Sequence, residues 1–260
     1  MRINWMKRFS IFFFSAVFLL AFNNAGFSQR LVNALSDKQI SIDSSFAGET
    51  ISFFGNIEPE IGEREKVIEG TFNIIMVITG PSIDRVVREK SNKFIIWLNS
   101  NSQVYEKFPS YYWVLSDASL DDITTPEVLE EYSLLPKHQP QKFSKNANKD
   151  NRFDKELVRL MKEEGYFGIN ENAIDFHSNS FYSGRLELPA NVPVGSYLVQ
   201  TYLLKDGEVI SQKAQGFFIR KTGFERFLGN FAKQSPLLYG VFAVILALFT
   251  GWLGGVAFRR

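Results

Sequence analysis

From Pro236 to Phe258 the chain carries no charged residue, and Arg259 and Arg260 follow. A helix rises about 1.5 Å per residue, so the run is long enough to cross roughly 30 Å of hydrocarbon. Inside lipid each backbone N–H and C=O must find its partner within the segment, which leaves a helix as the form of a single span. A buried core helix would need a large domain around it, and only two residues follow the run. Arg259 and Arg260 are expected on the cytoplasmic side as the topology signal, with the bulk of the chain on the other side of the membrane.

The N-terminus fits that orientation. Residues 1–28 have the parts of a signal peptide: Arg2, Lys7 and Arg8, then an apolar stretch from Phe9 to Phe22, then small residues. Gly26 and Ser28 suit cleavage before Gln29; cleavage after Ala25 or an uncleaved anchor are the alternatives. The chain has no cysteine, which removes disulfides, thiolate metal sites and cysteine nucleophiles together. An exported domain of this composition holds itself by core burial alone. A bacterial inner membrane, crossed once, with the folded part in the periplasm, is the expected location.

Residues 29–222 read as one domain of mainly β type. "QISIDSSF", "TISFFGNIE", "GTFNIIMVITGP", "DRVVREK", "KFIIWLNS", "SQVYEKF" and "SYYWVLS" follow one another with turn residues between them. Strands at this spacing, with little helical period, predict an Ig-like antiparallel β-sandwich with short helical insertions. Strand patterning returns in "AIDFHS", "FYSGRLELP", "GSYLVQTYLL" and "EVISQKAQGFFI", and Lys205-Asp206-Gly207 signals a tight hairpin between the last two.

The section from 117 to 166 interrupts this pattern. Thr125-Pro126-Glu127 opens a short helix, with the hydroxyl as cap and proline at the first position. "PKHQPQKFSKNANKDN" is too poor in apolar residues to bury itself and is expected to be a mobile insertion. "RFDKELVRLMKEEG" then puts Phe153, Leu157, Leu160 and Met161 on one helical face, with Gly165 at its end.

Chemistry-bearing motifs are sparse. Lys and Arg number 29 against 28 Asp and Glu, so no electrostatic case exists for a nucleic-acid partner. The two histidines are His138, in the insertion, and His177, which reads as a structural residue at a strand end. Neither a nucleophile elbow, a phosphate-binding loop nor a dinucleotide fingerprint is present, so the expectation is no catalytic residue, no cofactor and no metal. Asp117, Asp121 and Asp122 lack the glycine and later glutamate of a calcium loop and read as turn and cap residues. In "FPSYYWVLS", Tyr111, Trp113 and Leu115 share one strand face and Tyr112 and Val114 the other. That strand is either buried on both sides or, with Asn99, an aromatic ligand surface. Glu58, Asn99 and Arg185 are isolated polar residues in apolar surroundings.

"GFERFLGNFAKQSPLLYGVFAVILALFTGWLGGVAFRR" and "LPANVPVGSYLV", with "FFGNIE", "VITGP", "WLN" at Trp97 to Asn99, "PSYYWVLS" and "EEGYFGI", resemble in order the pattern of a family of alphaproteobacterial transmembrane proteins. The resemblance runs over nearly the whole mature chain, with the Lys/Asn-rich stretch near 137–151 as its poor part. It implies an exported domain with one C-terminal span, and association with multi-span permeases of the sulfite-exporter type. It brings no catalytic residue.

Between domain and span, residues 223–235 place Phe224, Phe227, Leu228 and Phe231 at helical spacing. This interfacial stripe is expected either among lipid headgroups or packed beneath the sandwich. Within 236–258, Ala243, Ala247, Gly251 and Gly255 recur every four residues, the pattern by which lipid-buried helices pack closely. Residues 259–260 form the cytoplasmic tail. The expected partners are therefore the lipid bilayer and a transmembrane partner helix, from a permease or a second copy. An interaction module is the favoured reading, and a tethered solute-binding or sensing domain the alternative.

Overall fold

The computed structural model describes residues 30–43, 45–59, 70–93, 96–144 and 151–257. The expected signal peptide and Phe258 to Arg260 lie outside them. Strand is the main element of the described chain, in three sheets: β1 (Arg30–Leu35), β2 (Gln39–Ile42), β3 (Glu49–Glu58), β4 (Phe72–Thr79), β5 (Ser82–Lys93), β6 (Ile96–Pro109), β7 (Tyr112–Ser116), β8 (Phe167–Asn170), β9 (Ile174–Phe176), β10 (Phe181–Leu188), β11 (Gly195–Lys205) and β12 (Glu208–Lys221). One sheet has the order β1-β3-β10-β9, a second β2-β12-β11-β4-β7-β8, and β5 and β6 pair with each other.

The first two sheets share one core. β10 alternates buried and exposed along "FYSGRLEL", and its inward Tyr182, Leu186 and Leu188 meet Ile51, Phe53 and Ile57 of β3 and the inward residues of the larger sheet. This is the period-two burial of a sheet covered on one side. β4 differs, because "FNIIMVIT" is buried on both sides. Ile74, Met76 and Ile78 face the shared core, whereas Ile75 and Val77 face a second apolar cluster behind the sheet. A strand covered on both faces needs a continuous apolar run, and β4 has one.

The second cluster is built by the section between β7 and β8. Short helices α1 (Leu120–Ile123), α2 (Pro126–Glu131) and α3 (Gln139–Phe143), and the longer α4 (Asn151–Glu163), lay Leu120, Ile123, Leu129, Leu134, Leu157 and Met161 against the outer face of β4, β7 and β11. The stretch expected to be mobile is folded in its first part: a 3-10 turn at Pro136–His138 runs into α3, with Pro136, Gln139 and Pro140 buried. The two prolines sit at first-turn positions, where a missing N–H costs nothing. Residues 145–150 lie outside the described part. In α4 the inward face is Leu157, Val158 and Met161, and Leu160 is exposed. Thr125 is the cap of α2, but its side chain makes no capping bond.

Two pairings depart from an all-antiparallel arrangement. β12 runs parallel to β2, and β7 parallel to β8. Both are short pairs joined through long stretches of intervening chain, the only way parallel neighbours are connected. The β11–β12 turn matches its sequence: Asp206 and Gly207 both have positive φ, 51° and 87°, the requirement of a two-residue hairpin turn.

The third sheet is an arm. Gly80 N–H donates to Tyr111 O at 2.8 Å and Ser110 N–H to Pro81 O at 2.9 Å. These bonds join the β4–β7 ladder to the β5–β6 ladder, so the arm continues the larger sheet beyond its end. Pro81 at this junction has no N–H to give, and its carbonyl accepts from Ser110. At its base Tyr105 and Phe108 are fully buried in the second cluster, and Phe108 stacks on Phe167 with ring centroids 5.6 Å apart. Further out, residues 96–102 are exposed.

After β12 come α5 (Phe224–Gln234) and α6 (Pro236–Ala257).

Candidate functional site: the membrane-proximal helices

Helix α6 is 22 residues long, with mean hydropathy 2.1 in its most apolar window. Its large side chains are exposed around the whole circumference, from Leu237 and Leu238 to Trp252 and Val256. A helix apolar all round, with its large side chains left exposed, is built for hydrocarbon rather than for water. Thr250 turns its hydroxyl back to Leu246 O at 2.9 Å, so this hydroxyl is satisfied inside the helix.

Ala243, Ala247, Gly251 and Gly255 are exposed, and a Cβ built at Gly251 or Gly255 meets nothing within 4 Å. At an interval of four residues they form a shallow groove along the helix. The groove is open over its full length.

Helix α5 packs on the start of α6. Phe231 stacks on Phe227 at 6.0 Å and meets Tyr239 edge-on at 5.8 Å and Phe242 at 6.4 Å. Phe231 thus closes an aromatic elbow between the helices. Phe227 remains 62% exposed and Leu228 is half-buried, consistent with a headgroup position for that side of α5. Phe224 opens the helix, and its side chain lies outside what is described. The break between the helices follows from Pro236, which starts α6 at the position where proline is tolerated.

The expected ligand surface does not assemble. Tyr111 is fully buried between the two large sheets, stacked on Trp113 at 6.4 Å and edge-on to Tyr197 at 5.8 Å. Its hydroxyl has no hydrogen-bond partner among the described residues, and burial raises its pKa. Trp113 is half-buried, and its Nε1–H donates to Gly165 O at 3.2 Å. Asn99 is exposed on the arm, opposite Lys90. The alternation of Tyr111 and Trp113 against Tyr112 and Val114 is that of a strand covered on both faces. Glu58 and Arg185 sit on β3 and β10 and do not join Asn99.

The acidic and histidine candidates have structural partners. Asp117 accepts from Ile74 N–H at 2.7 Å and Asn73 Nδ2 at 2.9 Å, tying the end of β7 to β4. Burial raises its pKa against these hydrogen bonds, which lower it. Asp121 and Asp122 lie in the first turn of α1. His177 Nε2 and Ser183 Oγ are 2.6 Å apart, an exposed stitch across the β9–β10 turn.

His138 was not expected to be ordered. It borders a cleft of about 420 Å³ with Glu130, Lys137, Gln141, Asp154, Lys155 and Val158. Its Nδ1 is buried with no hydrogen-bond partner among the described residues, and Asp154 accepts from Tyr105 OH at 2.6 Å. Burial first, and then the Lys137 ammonium, hold the imidazole below its ordinary 6.5. A depressed folded-state value means that the neutral ring stabilises the fold above pH 6.5 and that this contribution is lost as pH falls through the folded value. Thermal midpoints between about pH 7 and about pH 5 should therefore fall more for the wild type than for His138→Gln. Equal falls would remove His138 from the pH response.

Residues 30–260 match the family model described as "Putative transmembrane protein (Alph_Pro_TM)". The chain belongs to this family. The match takes in the sheets, α5 and α6 together, so the transmembrane helix and the β domain form one family unit. No curated protein matches the chain.

Proposed function

We propose that this family member is a membrane-anchored periplasmic interaction module, an accessory to a multi-span membrane partner such as a sulfite-exporter-type permease. The observation that carries the reading is the open groove of Ala243, Ala247, Gly251 and Gly255, all exposed, with nothing within 4 Å of a Cβ built at either glycine. An anchor needs only bulky apolar residues. A groove of small residues lets a second backbone approach and gain dispersion contacts that lipid tails do not supply. The N-terminal secretion signal and the two terminal arginines support the orientation, with the sheets in the periplasm and the C-terminus in the cytoplasm. The aromatic elbow at Phe231 then holds the domain at a restricted tilt over the docked helix.

The test keeps the span and fills the groove. Gly251→Leu with Gly255→Leu should leave the protein in the membrane fraction and reduce co-purification of its membrane partner about tenfold. Undiminished recovery of the partner would refute the module reading. A reporter fused after Arg260 that is active only outside the cytoplasm would refute the orientation.

A further inference from the structure

The apex of the arm is the most apolar exposed surface of the β domain. Ile96, Trp97 and Leu98 are 59%, 67% and 45% exposed at consecutive positions. Successive strand residues point to opposite faces, so the apex is apolar on both of its faces. A protein partner laid against one face would need only every second residue to be apolar. A two-sided apolar tip suits immersion in a medium. Tryptophan favours the headgroup level of a bilayer. Arg88 and Lys90 are exposed on the adjoining strand, which ends in a third cation, Lys93, while the only carboxylate among them, Glu89, is bonded to Asn101 Nδ2 at 2.9 Å. The flank therefore complements anionic headgroups.

The topology aims the arm at a bilayer that the chain already occupies. β4 and β12 are both antiparallel to β11 and so run in the same direction. β12 leaves the sheet at Lys221, three residues before α5 and the path to α6. β4 leaves the same end of the sheet and continues into β5. Pro81, at the junction, lies against Gly195, where a Cβ would come within 2.8 Å of the proline ring, and Gly195 pairs with Ile219 near the end of β12. The base of the arm thus stands beside the exit to the membrane helix. The 12 residues of β5 span about 40 Å at ~3.3 Å each.

We propose that the apex, Ile96, Trp97 and Leu98, enters the interface of the same bilayer that holds α6, with Arg88 and Lys90 on anionic headgroups, as a second attachment point of the β domain.

The absence of cysteine makes the test direct. Full-length Trp97→Cys, labelled with an environment-sensitive fluorophore, is reconstituted into vesicles of phosphatidylethanolamine and phosphatidylglycerol with no other protein. Glu208→Cys, exposed at the opposite end of the sheet, is the reference. The label at position 97 should show a blue-shifted emission and at least about twice the quenching by headgroup-depth spin-labelled lipid seen at position 208. Replacing phosphatidylglycerol by phosphatidylcholine should reduce that quenching. Equal quenching at the two positions overturns the proposal. So does a label protected in native membranes yet water-exposed in the vesicles, because a protein then covers the apex. Both readings are independent of partner recovery through the α6 groove, so one can fail without the other.

Discussion

Gly55→Ala should be among the most destabilising single substitutions in the β domain, by about 3–5 kcal/mol from overpacking and a broken buried hydrogen bond together. Gly55 of β3 pairs with Tyr182 of β10, and a Cβ at Gly55 would lie 2.1 Å from the Tyr182 ring. The ring has nowhere to go. It is fully buried, and its hydroxyl donates to Asn33 Oδ1 at 2.8 Å. Asn33 Nδ2 in turn donates to Thr201 Oγ1 at 2.9 Å, and Thr201 is fully buried in the facing sheet. A displaced Tyr182 therefore pulls apart the polar bridge that joins β1 and β10 to β11. Chemical unfolding of the full chain in detergent should show the loss. Combining Gly55→Ala with Tyr182→Leu should recover part of it, since the larger ring is what the new methyl meets. Strict additivity of the two changes would show that the contact is not the cause.

Phe108→Ala should cost about 3–5 kcal/mol as well, but locally. Phe108 has no exposed surface, stacks on Phe167, meets Phe143 edge-on at 6.2 Å and leans on Tyr105 at 5.8 Å. It is the point at which the arm, α3 and β8 meet. Its truncation leaves a cavity under the second cluster while the core between the two large sheets keeps its contacts. Amide exchange should rise in β5, β6, α3 and α4 and stay slow in β3 and β10. Uniform acceleration would mean that the two clusters unfold as one.

Much of the fold was legible because local chemistry and global position agree. Lys205-Asp206-Gly207 specifies the only kind of turn that its two flanking strands accept, and "YYWVLS" announces a strand covered on both sides. The uncharged run of α6 has no competing interpretation in water. The arm was not legible as an arm. Its strands have the same composition as sheet strands, and Gly80-Pro81 reads as a stop when the ladder in fact continues through it. The order in Pro136–Phe143 was hidden because two prolines and several lysines look like a solvated loop, whereas the prolines pre-set a first turn and Phe143 supplies the anchor against Phe108. The parallel edges, β2 on β12 and β7 on β8, depend on where distant segments come to rest, which short-range pattern does not encode. The proposed ligand surface failed for a related reason: Tyr111 and Asn99 are close in sequence but belong to the core and to the arm.

The ladder that runs unbroken from β4 into β5 and from β6 into β7 has a mechanical meaning. β6, which carries Trp97, and its partner β5 lead into β7 and β4, which carry Leu115 and Met76 in the shared core. A load on the tip is therefore expected to reach the middle of the larger sheet through the hydrogen-bonded Gly80–Pro81 junction. With the apex in the bilayer as proposed, the β domain would be geared to the surface beneath it rather than floating on a leash.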